Sequence, residues 1–372
     1  TATNGGTVTL IGNSMNFDAT ATISAQSGSS VTLRQRTSGV AIDLGSATDT
    51  NGGPLALTDA ELDRITAGTV NIGDTNSGTI TVSSAITHAN NLTLTTGAGI
   101  TVNQAIIMAA NKSLTASAIS TINLAATNSY FATTGTGAIS LTTQRDILLA
   151  SGSSLTVENG NLTLSANSAG TTAGNFVGLD VNGGTITTSG TGNVSLTAKG
   201  GNDGATGSHY GVQLRNGAVV TSMQTTAGAG TITINGTAGT GTGTGNSDNT
   251  GVVFSGANTK VTSAVGDILI SNQENTSGGY NNVGVRMTGG ALVQSTQGAK
   301  ITVTATGGTG LDGVYGVSID GSTTKITSTT GDISITGISG SGSGQGNAGV
   351  LLAGSAVVES TSGAKITIAG TG

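Results

Sequence analysis

The side chains of this chain with acid–base or ligand chemistry are eighteen carboxylates, two histidines and four tyrosines, and it has no cysteine. A glycan-cleaving site needs two or three carboxylates, or an acid with a base, converging on one face. The acids here are scattered, and no carboxylate pair returns at a fixed spacing. His88 and His209 each stand without a second ligand at metal spacing. The densest charge cluster is Asp59, Glu61, Asp63 and Arg64, where an acid/base pair is conceivable. Thr58 with Glu61 three residues on fits a capping box, so the segment reads instead as one capped helical turn inserted between strands. Gly200-Gly201-Asn202-Asp203-Gly204 has half of a calcium-binding nonapeptide, occurs once, and reads as a turn. The Gly-Thr alternation at 239–245 lacks the Lys-Ser/Thr and the helix of a phosphate loop, and reads as loop lengthening. Tyr210 and Tyr315 immediately precede a recurring glycine, and Tyr280 lies four before another. They read as contact residues for a partner or as rings packed over the loop base. From these residues we expect no enzyme, no cofactor and no metal site.

The elements around them repeat. Gly, apolar, any residue, apolar recurs at Gly178-Leu179-Asp180-Val181, Gly211-Val212-Gln213-Leu214, Gly251-Val252-Val253-Phe254, Gly284-Val285-Arg286-Met287, Gly316-Val317-Ser318-Ile319 and Gly349-Val350-Leu351-Leu352. Those glycines lie 33, 40, 33, 32 and 33 residues apart, a solenoid period. A second corner follows at Gly183, Asn216, Gly256, Gly289, Gly321 and Gly354, residue types that tolerate positive φ. A second short run ends in Thr-Ser or its equivalent, and a third runs Ile268-Leu269-Ile270, Ile301-Thr302-Val303, Ile333-Ser334-Ile335 and Ile366-Thr367-Ile368. A loop of about a dozen small polar residues closes each unit. Alternating aliphatic and polar residues mark strands with one buried face. The pattern predicts an all-β fold: a right-handed parallel β-helix, or β-solenoid, with three short strands per coil. It also predicts loops stacked on one edge and a buried column of Ile268, Ile301, Ile333 and Ile366. Asp267, Lys300, Asp332 and Lys365 precede successive third strands and predict an alternating charge ladder.

The remainder is read in the same terms. Residues 1–57 carry N-terminal coils, with 46–57 breaking the pattern around the single proline, Pro54. Residues 58–68 form the helical insert. From 69 to 177 the period shortens to about 22 residues, as between Val70, Leu92 and Leu114. Residues 178–372 hold the 33-residue coils, all in one continuous solenoid.

Charged residues are 8% of the chain, against ~25% in a usual domain. A net charge of −6 argues against nucleic acid, which calls for clustered Lys and Arg. No apolar run approaches the ~20 residues of a membrane helix. Absence of cysteine fits a reducing cytosol or an exported chain. The missing initiator Met and signal peptide are expected of a section of a longer precursor.

Leu57-Thr58-Asp59-Ala60-Glu61-Leu62-Asp63-Arg64-Ile65-Thr66-Ala67-Gly68-Thr69-Val70-Asn71-Ile72-Gly73, then Ser77-Gly78-Thr79-Ile80-Thr81-Val82 and Asn91 to Ile100, resembles the repeat region of filamentous-haemagglutinin-like exoproteins of the two-partner-secretion type. The resemblance is specific over about 57–165 and architectural elsewhere. It implies a right-handed parallel β-helix, export across a bacterial outer membrane by a partner transporter, and a role in adhesion or biofilm. The expected function is then a structural section of a large secreted surface fibre, acting as adhesin stalk or matrix filament. Its expected location is the bacterial cell surface or extracellular matrix. Expected partners are copies of itself or further coils end to end, and a host or neighbouring-cell surface, with no nucleic acid and no membrane insertion. The alternatives are a β-helical polysaccharide-active enzyme or, from the Thr residues at strand centres such as Thr81, Thr93 and Thr101, an ice-binding protein.

Overall fold

Strands whose alternate residues are β-branched or aliphatic bury one face and leave the other in water, and that alternation directs the whole chain. In Asn91–Thr96 every second residue is buried, and Ile232–Thr237 repeats the pattern. The computed structural model describes residues 6–46, 52–125, 127–203, 207–241, 248–273 and 280–372. Gly204, and residues 242–245 of the Gly-Thr alternation, lie outside the described residues. The strands pair in parallel, in sheets of 13, 12 and 10 strands and one two-stranded ribbon. The fold is a parallel β-helix with three short strands per coil. Contacts divide the chain into two compact units: Thr1–Gln144 with Gly152–Leu162, and Arg145–Ser151 with Thr163–Gly372. The division falls ahead of the change of period at Gly178.

In the first unit, Thr69–Ile72, Asn91–Thr96, Leu114–Ala118 and Ile139–Thr143 stack in one column. Ile80–Val82, Ile100–Val102 and Ile122–Leu124 form the second, and Ile86–His88, Ile106–Met108, Tyr130–Ala132 and Ser154–Val157 the third. The break around Pro54 is shorter than the sequence predicts. Leu55–Leu57 pairs in parallel with Ile42–Leu44, whose other edge is taken by Ile80–Val82. All three of its residues are buried. The helix Asp59–Leu62 follows, and its capping box is complete: Glu61 N donates to the Thr58 hydroxyl while the Glu61 carboxylate accepts from Thr58 N.

The second unit contains the six long coils. Their lead strands are Leu179–Asn182, Val212–Arg215, Val252–Ser255, Val285–Thr288, Tyr315–Asp320 and Ala348–Ala353, in register with one another. The lead glycines are required by space: a Cβ on Gly284 would lie 2.7 Å from the carbonyl oxygens of both Thr306 and Gly316. The next corner needs the left-handed backbone instead, and Asn216 takes it at φ 56° where Gly256 has 90°. Ser222, Ser263, Ser295 and Ser328 form an inward column of small buried hydroxyls at the ends of the second strands.

Two expectations change in detail. Ile268, Ile301 and Ile333 are buried to within 1% of full cover, whereas Ile366 is 38% exposed. An inward side chain is closed by the coils on both sides, and the coil of Ile366 has a neighbour on one side only. The Asp–Lys column, in turn, is not a charge ladder. Asp267 Oδ1 accepts the backbone N–H of Lys300 at 2.9 Å, and Asp332 Oδ1 that of Lys365 at 3.0 Å. Uncharged residues use the same position alike: Asn193 Oδ1 accepts Thr231 N, Asn91 Oδ1 accepts Ser113 N, and Ser113 Oγ accepts Ala138 N. Wherever the corner residue carries an acceptor, the column is therefore a register pin to the amide of the next coil.

Ile333→Asp places an unpaired charge in the core and should lower unfolding free energy by several kcal/mol, roughly 3–5. Exposed Ser341→Asp should change it by less than ~0.5 kcal/mol. Denaturant melts of both variants check the inward and outward assignment. Asp267→Leu should cost about 1 kcal/mol, one hydrogen bond. Asp267→Asn should keep most of it, and added salt should leave the wild type unchanged. An Asn variant as weak as Leu would restore the charge-ladder reading.

Candidate functional site

The long loops of the second unit are tied to one another coil by coil. Gly174 N donates to Asn202 O, Thr240 N to Asn202 Oδ1, Asn281 N to Asp312 O and Gly310 N to Ser341 O. Consecutive loops thus lie on the same edge. Two residues before the lead glycine runs a ladder absent from the sequence reading. His209 N donates to Asn249 Oδ1 at 3.1 Å, Asn249 N to Asn282 Oδ1 at 3.3 Å, and Val314 N to Asn347 Oδ1 at 3.0 Å. Asn at that position in three of the coils, Asn249, Asn282 and Asn347, is the signal that shows it in the sequence. His209 is fully buried between Asn249 Oδ1, 3.1 Å from Nδ1, and the Asp203 carboxylate, 3.3 Å from Nε2. It has partners that its isolation in the sequence did not indicate.

Two of the three tyrosines meet one ion pair, and the third lines the groove beside it. The Tyr210 hydroxyl donates to Asp248 Oδ2 at 2.9 Å, and Asp248 N donates to the Tyr280 carbonyl at 3.2 Å. Asp248 Oδ1 meets Arg286 Nη1 at 2.6 Å. Arg286 in turn lines a groove of about 330 Å³ with Tyr315, Ser318, Asp320 and Asn281. Burial, then the Asp248 carboxylate, raise the Tyr210 pKa above the ordinary phenol value. Tyr210 is thereby a loop anchor, while Tyr315 faces the groove. Sequence reasoning named the tyrosines and missed Asp248 and Arg286, which stand in different coils at unrelated offsets. Another pair, Asp180 and Arg215, is bidentate at 3.0 and 2.8 Å. Such a surface can offer hydrogen-bond donors and acceptors to a polar ligand, with the Arg286 and Asp248 charges matched to each other.

In the first unit the acidic cluster around the helix is occupied structurally. Besides the cap, the Glu61 carboxylate accepts Phe17 N at 3.1 Å, Arg64 Nη1 donates to Phe17 O, and Asp59 Oδ1 accepts Thr87 N at 2.8 Å. Glu61 and Arg64 border a polar cleft of about 370 Å³ with Asn16 and Asp18. Their hydrogen bonds fasten the helix to the strands rather than leaving a free acid and base. His88 is 3% exposed, and burial pulls its pKa down to about 4 against the pull of Asp59.

Among the described residues no group of three or more His, Asp or Glu side chains could hold a metal ion. No helix among them is long and apolar enough to cross a membrane. No protein-family model, no curated protein and no solved structure matches the chain.

Because the folded pKa of His88 lies below its unfolded value of 6.5, the unfolded chain binds the extra proton between those limits. The His88 contribution should be complete above pH 6.5 and fall away towards pH 4, with a limit of about 3 kcal/mol. Unfolding free energies from pH 7 to 4 should show this slope in the wild type and a flatter one in His88→Leu.

Proposed function

We propose that the chain is a structural section of a large secreted bacterial surface fibre, serving as adhesin stalk or matrix filament. The observation that carries the reading is the stacking of six near-identical coils whose loops are hydrogen-bonded along one edge. Such a body grows by adding coils and needs no larger core to do so. Its side chains are spent on register and on loop anchoring. The resemblance of residues 57–165 to filamentous-haemagglutinin-like repeats supplies the cellular setting: export, a surface location, and contact with copies of itself or with a neighbouring cell. Within this reading the Tyr315 groove beside Arg286 is the contact surface, and Tyr210 and Tyr280 hold it in place.

Antibodies against the loops of the second unit, applied to intact producing cells, should label extended rods outside the envelope in electron micrographs. Label that enters only after permeabilisation would overturn the proposal. Fab fragments that block cell attachment would assign the adhesin role, and rods joined in a labelled matrix the filament role.

A further inference from the structure

Arg286, Ser318 and Leu351 stand side by side in register on three successive lead strands. Val285 and Met287 flank Arg286 in sequence, Val317 and Ile319 flank Ser318, and all four are fully buried, so the row between them faces outward. Ser318 is nevertheless only 6% exposed, and it lines the groove of about 330 Å³ beside Arg286. Its hydroxyl has no hydrogen-bond partner among the described residues. The same holds of the Thr288 and Tyr315 hydroxyls and of the Asp320 carboxylate on that groove. A covered hydroxyl left unmet carries a desolvation cost, so this row points to a ligand that meets it.

The unspent groups select the chemistry. Three hydroxyls and one carboxylate can both donate to and accept from a ligand rich in hydroxyls of its own. The Tyr315 ring, Val283 and Leu351 add apolar surface on which the C–H face of a sugar ring can lie. The cation among the lining residues is already taken: Arg286 Nη1 lies 2.6 Å from Asp248 Oδ1, and Nη2 donates to Asn281 O at 3.3 Å. Asp320 adds an unpaired negative charge, so a sulfated or uronate-bearing ligand finds no free partner and meets repulsion. Tyr315 and Asp320 lie at opposite ends of one strand, roughly 16 Å along it, which suits a chain of rings rather than a single one. We propose that this groove binds a short neutral glycan laid along the lead strand, an inference that rests on the reading of the groove as the contact surface.

The purified full chain is screened on an array of immobilised oligosaccharides, neutral hexose and N-acetylhexosamine oligomers beside sulfated and uronate-bearing ones, and the strongest binder is titrated by calorimetry. A neutral oligomer should bind, and its sulfated or uronate-bearing counterparts at least tenfold more weakly. Ser318→Ala, and Tyr315→Phe, which keeps the ring and removes the hydroxyl, should each weaken that binding about fivefold or more with unchanged melting. Ser334→Ala, on a strand of another sheet, should leave it as it is. Absence of binding by every neutral oligomer, a preference for the sulfated ones, unchanged affinity in Ser318→Ala, or equal loss in Ser334→Ala would overturn the proposal. Binding is read on the purified chain, so labelled rods on cells without glycan binding overturn this inference alone. Glycan binding with label confined inside the cell overturns the fibre reading alone.

Discussion

Everything in this protein depends on parallel backbone hydrogen bonding between one coil and the next. A single coil contributes two or three inward aliphatic residues per strand and cannot close a core. Stacked in register, Leu196, Ile234, Ile270, Val303 and Ile335 are fully buried by one another. Because side chains alternate along a strand, a slip of one residue would turn every aliphatic outward. The register is therefore the quantity the rest of the molecule protects.

Three devices protect it, and none is an ion pair. Corner side chains such as Asn193 and Asp267 accept the backbone N–H of the following coil. The Asn ladder does the same on the loop edge through Asn249, Asn282 and Asn347. The lead glycines work by exclusion, since a side chain at Gly284 or Gly316 would drive strand ends apart. Hydrogen bonds to main-chain amides are directional, whereas exposed charges act weakly and over a range of geometries. This explains how a chain with 8% charged residues can still specify which coil follows which.

The few charges that occur near the loops serve a related end. Asp248 accepts from Tyr210, pairs with Arg286 and reaches Tyr280 through its own amide, tying several coils at one point. A groove built beside such a tie presents Tyr315 and Arg286 in a set geometry. Under the proposed stalk function, that set geometry would suit a contact surface, since little conformational freedom remains to be lost on contact.

How much of this is legible in the sequence follows from how local each interaction is. Alternation of aliphatic and polar residues, the glycine period and the Thr58–Glu61 spacing are local, and they determined strand positions, coil length, the helix cap and the inward face. The third-strand column and the positive-φ corners belong to the same class, because the repeat itself supplies the neighbour. What only the tertiary structure decided involves partners at different places in different coils. The return of Leu55–Leu57 to the edge of Ile42–Leu44 is one case. The use of Asp267 as an acceptor for an amide rather than as a partner for Lys300 is another. Tyr210 and Asp248 are 38 residues apart, a distance that matches no coil period exposed by the pattern. His88 and Met108 stand in register because their strands pair, although the residue types at the two positions share nothing. A period in the sequence determines which backbones stack, and the side chains that then face one another depend on lateral geometry that no single coil encodes.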